Sequence, residues 1–120
     1  MAALETELPQ WKNDEAEFMV NLAGDEMCKK YAVVEGAKYC SQDDLKEMYL
    51  NNNWRANLSI TGADGLPPIA MAGNVVRAST SVRLSMRLPP NMDPAVAQAA
   101  MEKALTENVP YGAKVTLKGG

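Results

Sequence analysis

Apolar residues recur at three- and four-residue spacing in two segments between Trp11 and about Asn53, as they do in amphipathic helices. These positions are Phe18, Met19 and Leu22, then Leu45, Met48 and Tyr49. Ser41, with Asp44 three residues later, gives the second segment the polar and acidic start typical of a helix N-terminus. Residues 31–34 fit either a short strand or a helix end. The pattern predicts a helical segment over residues 1–53 that packs on a sheet.

The second half of the chain changes to a period of two, which is typical of half-buried antiparallel strands. Leu58 and Ile60 alternate with polar residues over 57–61, and the glycines of residues 62–65 are expected to break that strand. A second alternation stops at Pro89-Pro90, because proline lacks the backbone donor that a ladder needs. Its apolar positions are Val82, Leu84, Met86 and Leu88.

A further helix and strand are predicted after these two strands. Asp93-Pro94 supplies an N-cap followed by the residue preferred at the first helical position. The helix that follows has one apolar stripe, expected to be core: Val96, Ala97, Ala100, Met101, Ala104 and Leu105. Val115 and Leu117 predict a last short strand. The expected fold class is α+β, one compact domain with an antiparallel sheet and helices on one face, divided into residues 1–53 and 54–120.

Composition argues against several classes of partner for this chain. The 120 residues carry a formal net charge of −3 with dispersed basic residues, which argues against nucleic acid as a partner. No segment is apolar and long enough to indicate a membrane partner, and no secretory signal is visible. Two cysteines, Cys28 and Cys40, are too few for a disulfide scaffold and are expected to be reduced, as in the cytoplasm.

Histidine is absent from the sequence. Hydrolytic zinc sites usually take imidazole ligands, and acid/base catalysis near neutral pH most often uses histidine. We therefore predict no catalytic residue, no metal ligand and no cofactor within this chain.

Two runs in the second half are similar to a known family. Residues 53–62, NWRANLSITG, precede Gly73-Asn74-Val75-Val76, and residues 85–90, SMRLPP, follow. Together, over roughly residues 42–118, they resemble the lid, or dimerisation, domain of the di-zinc aminoacylase and carnosinase-like metallopeptidases. The resemblance implies a ferredoxin-like βαββαβ lid, here partial. It also implies a homodimer, a catalytic domain in the same polypeptide that holds zinc, and a small peptide or acyl-amino-acid substrate.

In that family an asparagine and an arginine of the lid hold the substrate's carboxylate or neighbouring carbonyl oxygen, and the resemblance places these roles on Asn74 and Arg87. Arg87 offers a planar fork for a carboxylate, and Asn74 offers an uncharged donor. The alternative for Arg87 is a surface arginine on the polar face of a strand, with or without a nearby acid as its partner. Arg83, on the same face, is expected to be solvated.

The chain departs from the family pattern in its loop, residues 66–72 with Arg77, and in lacking the lid's first strand and helix and the catalytic domain. Because that strand is central, its loss leaves unpaired backbone groups. We predict that the final strand pairs with the strand ending at Leu88, or that the first half or a second chain fills the gap. An alternative to the lid function is a free-standing α+β binding module with no hydrolase parent.

Overall fold

The computed structural model describes residues 2–119 and confirms a mixed helical and antiparallel fold, as predicted. Its main elements are α1 (Gln10–Ala23), α2 (Glu26–Lys29), α3 (Leu45–Asn53), β1 (Asn57–Asp64), β2 (Ser81–Arg87) and α4 (Pro94–Thr106). Short 3-10 turns lie at Ala2–Leu4, Ile69–Met71 and Pro110–Gly112. The contacts divide the chain into a helical unit, up to Ala56 and from Leu88 onward, and a hairpin unit, Asn57–Arg87. The division into residues 1–53 and 54–120 stays a prediction.

The core of the helical unit forms where α1 packs on α3. Ala16 is completely buried, and Leu50 and Trp54 are 2% and 4% exposed. The small Ala16 lets the two helices approach closely, and the Trp11 ring meets the Trp54 ring edge-on at 5.9 Å between centroids. This core is small, so each of its large side chains accounts for much of the unit's stability.

The face of α1 that is buried differs from the face that the apolar spacing indicates. Phe18 and Leu22 are 64% and 70% exposed, whereas Lys12 is buried beside Ala16. The Lys12 ammonium lies 2.8 Å from Glu15 and 5.2 Å from the Tyr49 ring centroid, so its charge is paired while its stem is covered. The helix is confirmed, and only its orientation departs from the pattern.

Glu15 joins α1 to α3 through its carboxylate. The Tyr49 hydroxyl donates to it at 2.6 Å, in addition to the Lys12 ammonium. The hydrogen bond from Lys12, and then that from Tyr49, lowers the pKa of Glu15, and the bond to the Glu15 carboxylate raises the pKa of Tyr49. The charged carboxylate is therefore the form that the fold favours.

Side-chain caps set the starts of α3 and α4. Asp44 accepts from the Glu47 amide at 3.0 Å, so Asp44, and not Ser41, is the N-cap of α3. Asp93 accepts from the Ala95 amide at 2.8 Å with Pro94 in the first turn, as predicted. Residues 31–34, left open between strand and helix end, adopt neither in the structure.

The expectation that the whole apolar stripe of α4 is core is wrong. Ala97 is 4% exposed, but Val96 and Leu105 are 58% and 40% exposed. Within its own unit α4 packs against the 3-10 turn Ala2–Leu4, where Leu4 is the buried side chain. A single short turn is too small a surface to cover the stripe.

The hairpin unit pairs β1 with β2 in an antiparallel ladder. Leu58 lies opposite Met86, and Ile60 opposite Leu84. A bulge between Ile60 and Gly62 then shifts the register, so that Ala63 faces Val82. Without the bulge Gly62 would take that place, so the extra residue keeps Ala63 on the apolar face and carries β1 through the predicted break to Asp64.

The described sheet has two strands, and the predicted last strand is absent from residues 113–119. Alternation alone does not make a strand without a ladder partner, and Val115 of this segment is 41% exposed. Neither the final segment nor the first half joins the sheet within residues 2–119. The third predicted way to fill the gap is insertion of a second chain, which the structure of a single chain does not test.

Candidate functional site

The polar face of the hairpin unit presents the two arginines of β2. Arg87 lies opposite Asn57, and Arg83 lies opposite Gly62. The Ser59 hydroxyl donates to the Asn57 side-chain oxygen at 3.1 Å, which orients Asn57 beside Arg87. Because strand residues rise about 3.4 Å each, the two arginines stand about 14 Å apart on one face. A small ligand that binds Arg87 therefore does not reach Arg83.

The Arg87 side chain is exposed, and no carboxylate lies within 4.0 Å of it in residues 2–119. By contrast, Arg55 in the helical unit holds Glu47 at 3.1 Å. Arg87 is thus a surface arginine without an acidic partner among residues 2–119, and its role in substrate binding stays a prediction. Its planar fork remains available for a carboxylate from outside the described residues.

Asn74 is exposed in the loop of residues 65–80 that joins the strands. A tight turn holds its neighbours, since the Val75 amide donates to the Gly73 carbonyl at 2.9 Å. That loop leaves the ladder at the Asp64–Ser81 pair, whereas Arg87 is at the opposite end of β2, about 20 Å along the strand. No hydrogen bond joins Asn74 to Arg87 in the described part of the chain. Their joint role in binding stays a prediction.

Gly65 closes the base of this loop. Its φ of +85° is one that L side chains rarely adopt, and a Cβ there would lie 2.5 Å from the Ser79 carbonyl oxygen. At Gly73, closer to Asn74, an added Cβ would make only an ordinary van der Waals contact, 3.7 Å from the Val75 side chain. The strand end of the loop is therefore sterically fixed at Gly65.

The apolar face of the hairpin is largely uncovered. Leu58, Ile60 and Val82 are 44%, 67% and 53% exposed, so the sheet is less buried than its alternation predicts. The adjoining loop adds Ile69 and Val76, which are 95% and 96% exposed. The sequence already indicated that this loop is apolar, because residues 66–72, LPPIAMA, contain no hydrogen-bonding side chain. Because exposed apolar patches are typical of interaction sites, this face and loop form the candidate interaction surface of the hairpin unit.

The side chains do not fit a catalytic zinc site. No group of three or more His, Cys, Asp or Glu residues gathers around a possible metal position in residues 2–119. Both cysteines are free. In the same range no helix combines the length and apolar character needed to cross a bilayer.

Comparison with known proteins identifies the family of this chain. The family model described as peptidase dimerisation domain matches residues 1–113. The chain therefore belongs to the peptidase dimerisation domain family. The match begins well before the span of roughly 42–118 over which the sequence resembles the lid, so it includes the helical first half. A search of curated proteins found no match.

Proposed function

We propose that this chain is the non-catalytic lid of a zinc-dependent metallopeptidase and that it self-associates through its hairpin unit. The family match supports the lid function, and the observation that carries self-association is, within residues 2–119, a two-stranded sheet with an exposed apolar face and a free outer edge on each strand. The parent enzyme is of the dipeptidase, carboxypeptidase or aminoacylase type. Its zinc would be held by residues outside this chain, because those described here do not fit it.

The energetics of a two-stranded sheet support self-association. A two-stranded sheet is marginally stable in water, and its edges present unpaired backbone donors and acceptors. A second copy of the chain could satisfy the edge of β1 or β2 and cover Leu58 and Ile60 together. This supports the third of the predicted ways to replace the missing strand.

Sedimentation velocity over a wide concentration range tests self-association. We expect a reversible monomer–dimer equilibrium, with slower amide exchange in β1 or β2 when the dimer is populated. Protection confined to α4 would contradict the hairpin as the interface. A strictly monomeric profile at the highest soluble concentration would overturn the proposal.

For the lid function, we propose that Arg87 and Asn74 contact the substrate's carboxylate or neighbouring carbonyl in a small peptide or acyl-amino acid. The support is the unpaired, exposed guanidinium of Arg87 on the polar face. Because Asn74 lies in the loop at the other end of β2, joint binding requires that this loop reorganise or that the two side chains come from different copies. The two free cysteines agree with a cytoplasmic location.

The matched test compares Arg87→Ala with Arg83→Ala in the parent-length protein. Truncating one partner of a desolvated charge pair costs about 2–5 kcal/mol, so Arg87→Ala should lower kcat/KM by about 30-fold or more. Arg83→Ala, on the same face, should leave it nearly unchanged. The loss should shrink for a substrate without a carboxylate. Equal kinetics for both variants would remove Arg87 from the site.

A further inference from the structure

A cavity of about 210 Å³ is lined by side chains from the first three helices of the helical unit. Each helix contributes one methionine: Met19 of α1, Met27 of α2 and Met48 of α3. Met48 is 7% exposed and the other two are half-buried, whereas Lys30 and Tyr31, which also line the cavity, are exposed. The cavity therefore has an apolar interior and a cationic mouth.

We propose that this cavity binds a medium-chain aliphatic carboxylate, with the alkyl chain among the methionines and the carboxylate at Lys30 and Tyr31. An apolar protein cavity of about 150 Å³ holds benzene, which has six carbons, so a cavity of about 210 Å³ accommodates roughly eight. Methionine suits such a chain, because its flexible, unbranched thioether adapts to the shape of an apolar ligand.

Two donors at the mouth can meet the carboxylate. No protein carboxylate lies within 4.0 Å of the Lys30 ammonium in residues 2–119. This ammonium lies 5.8 Å from the Tyr31 ring centroid, a contact that leaves its N–H groups able to donate. The Tyr31 hydroxyl accepts from the Asn52 amide at 2.8 Å and keeps its own proton for donation. Hydrogen bonds to an ionised carboxylate are stronger than neutral ones.

Internal hydrogen bonds hold the mouth of the cavity in place. The Tyr39 hydroxyl bonds the Cys28 carbonyl at 2.8 Å and also the Tyr31 carbonyl. The Tyr31 amide donates to the Cys28 carbonyl at 3.1 Å. These bonds fix the turn after α2 on which Lys30 and Tyr31 stand. A site held in this way loses less conformational entropy when a ligand binds.

Other ligand classes fit the lining less well. A cation would meet the Lys30 ammonium and no acidic side chain, since none lines the cavity among the described residues. A hydrophilic anion such as phosphate would pair with Lys30 but would leave the methionine surface in contact with water. Pockets for small molecules typically combine an apolar lining with a few polar groups that fix orientation. An amphipathic anion uses both parts of this cavity.

NMR titration of the methionine methyl groups with octanoate tests the location of the site. We expect the signals of Met19, Met27 and Met48 to shift together and to saturate. Met71, which is 78% exposed in the hairpin unit, is the internal control and should not move. Shifts spread over the cavity methionines and Met71 alike would show adsorption to exposed apolar surface and would overturn the site.

A series of straight-chain carboxylates from hexanoate to dodecanoate tests the size of the cavity. Burial of each added methylene should raise the affinity about fourfold, and the rise should level off at about eight carbons, where the cavity is full. A rise that continues unchanged to dodecanoate would contradict a closed apolar interior. Octylamine, with a similar chain and the opposite charge, should bind more weakly than octanoate, and equal binding would contradict the role of the mouth.

Lys30→Gln should weaken octanoate binding about fivefold, because it removes one exposed charge-assisted hydrogen bond. Lys38→Gln is the matched control, since Lys38 is also exposed, lies outside the cavity lining and gives the same change in net charge. Equal affinities in these two variants would remove Lys30 from the site. The site lies within the helical unit and does not rest on the proposed lid function, so its failure would leave the proposed dimer untouched.

Discussion

Ile60→Ala should weaken the dimer strongly if the apolar face of the hairpin is the interface. Ile60 lies opposite Leu84 and is 67% exposed in the single chain. The substitution removes three carbons, each worth about 0.8 kcal/mol when buried. With about two-thirds of that surface still available, the loss is about 1.6 kcal/mol per copy.

A symmetric dimer contains the substitution twice, so the total is about 3.2 kcal/mol and the Kd should rise about 200-fold. Sedimentation velocity across a dilution series measures the change. Leu22→Ala is the matched control, because it also removes three carbons from a side chain that is 70% exposed, but in α1 of the helical unit. Circular dichroism on both variants checks that the monomer remains folded.

Equal Kd values for wild type and Ile60→Ala would refute the assignment of this face. An equal rise in Kd for Ile60→Ala and Leu22→Ala would show that loss of exposed apolar surface anywhere on the chain weakens the dimer, and that the hairpin surface has no special role.

Three further predictions concern stability. Gly65→Ala should destabilise the hairpin by about 1–3 kcal/mol, because φ at Gly65 is +85° and the new Cβ would lie 2.5 Å from backbone. Amide exchange in the hairpin should therefore become faster, whereas Gly73→Ala should be nearly neutral. Leu50→Ala, at a side chain 2% exposed, should lower the free energy of unfolding by about 2–5 kcal/mol in urea denaturation. The hydrogen bond from Lys12 is the first cause of the lowered pKa of Glu15. The contribution of Glu15 to folding stability is therefore present above the ordinary carboxyl pKa of about 4.3 and is lost as the pH falls through the lowered pKa of the folded state. Glu15→Gln should flatten that acid loss in thermal melts recorded against pH.

Each of these has an outcome that contradicts it. Matching exchange rates in the two glycine variants would mean that the loop base is not fixed at Gly65. A loss of under about 1 kcal/mol in Leu50→Ala would mean that the α1–α3 core can collapse around the cavity. An unchanged acid profile in Glu15→Gln would place the pH dependence on other carboxylates.

The sequence determined the features that depend on neighbours along the chain. The cap at Asp93 with Pro94 in the first turn needs only local backbone geometry, so its pattern predicted the start of α4 correctly. The alternation around Leu58 and Leu84 likewise predicted two strands, because side chains on a strand change face at every residue. The resemblance carried by residues 53–62 and 73–76 identified the family, and the family match confirms it.

Tertiary structure decided what depends on distant partners. The apolar residues of α1 suggested one buried face, but the packing of Ala16 against Leu50 of α3 selected another. The bulge after Ile60, which brings Ala63 to the apolar face, depends on pairing with β2 and has no local signature.

The candidate sites show the same division. The family resemblance suggested that Asn74 and Arg87 act together, whereas the ladder places Arg87 at the end of β2 opposite to the loop that carries Asn74. Conversely, Cys28 and Met48 are twenty residues apart and carry no joint motif, yet the Cys28 thiol donates a hydrogen bond to the Met48 sulfur at 3.8 Å. Proximity of this kind arises because α1, α2 and α3 pack together, which no local pattern encodes.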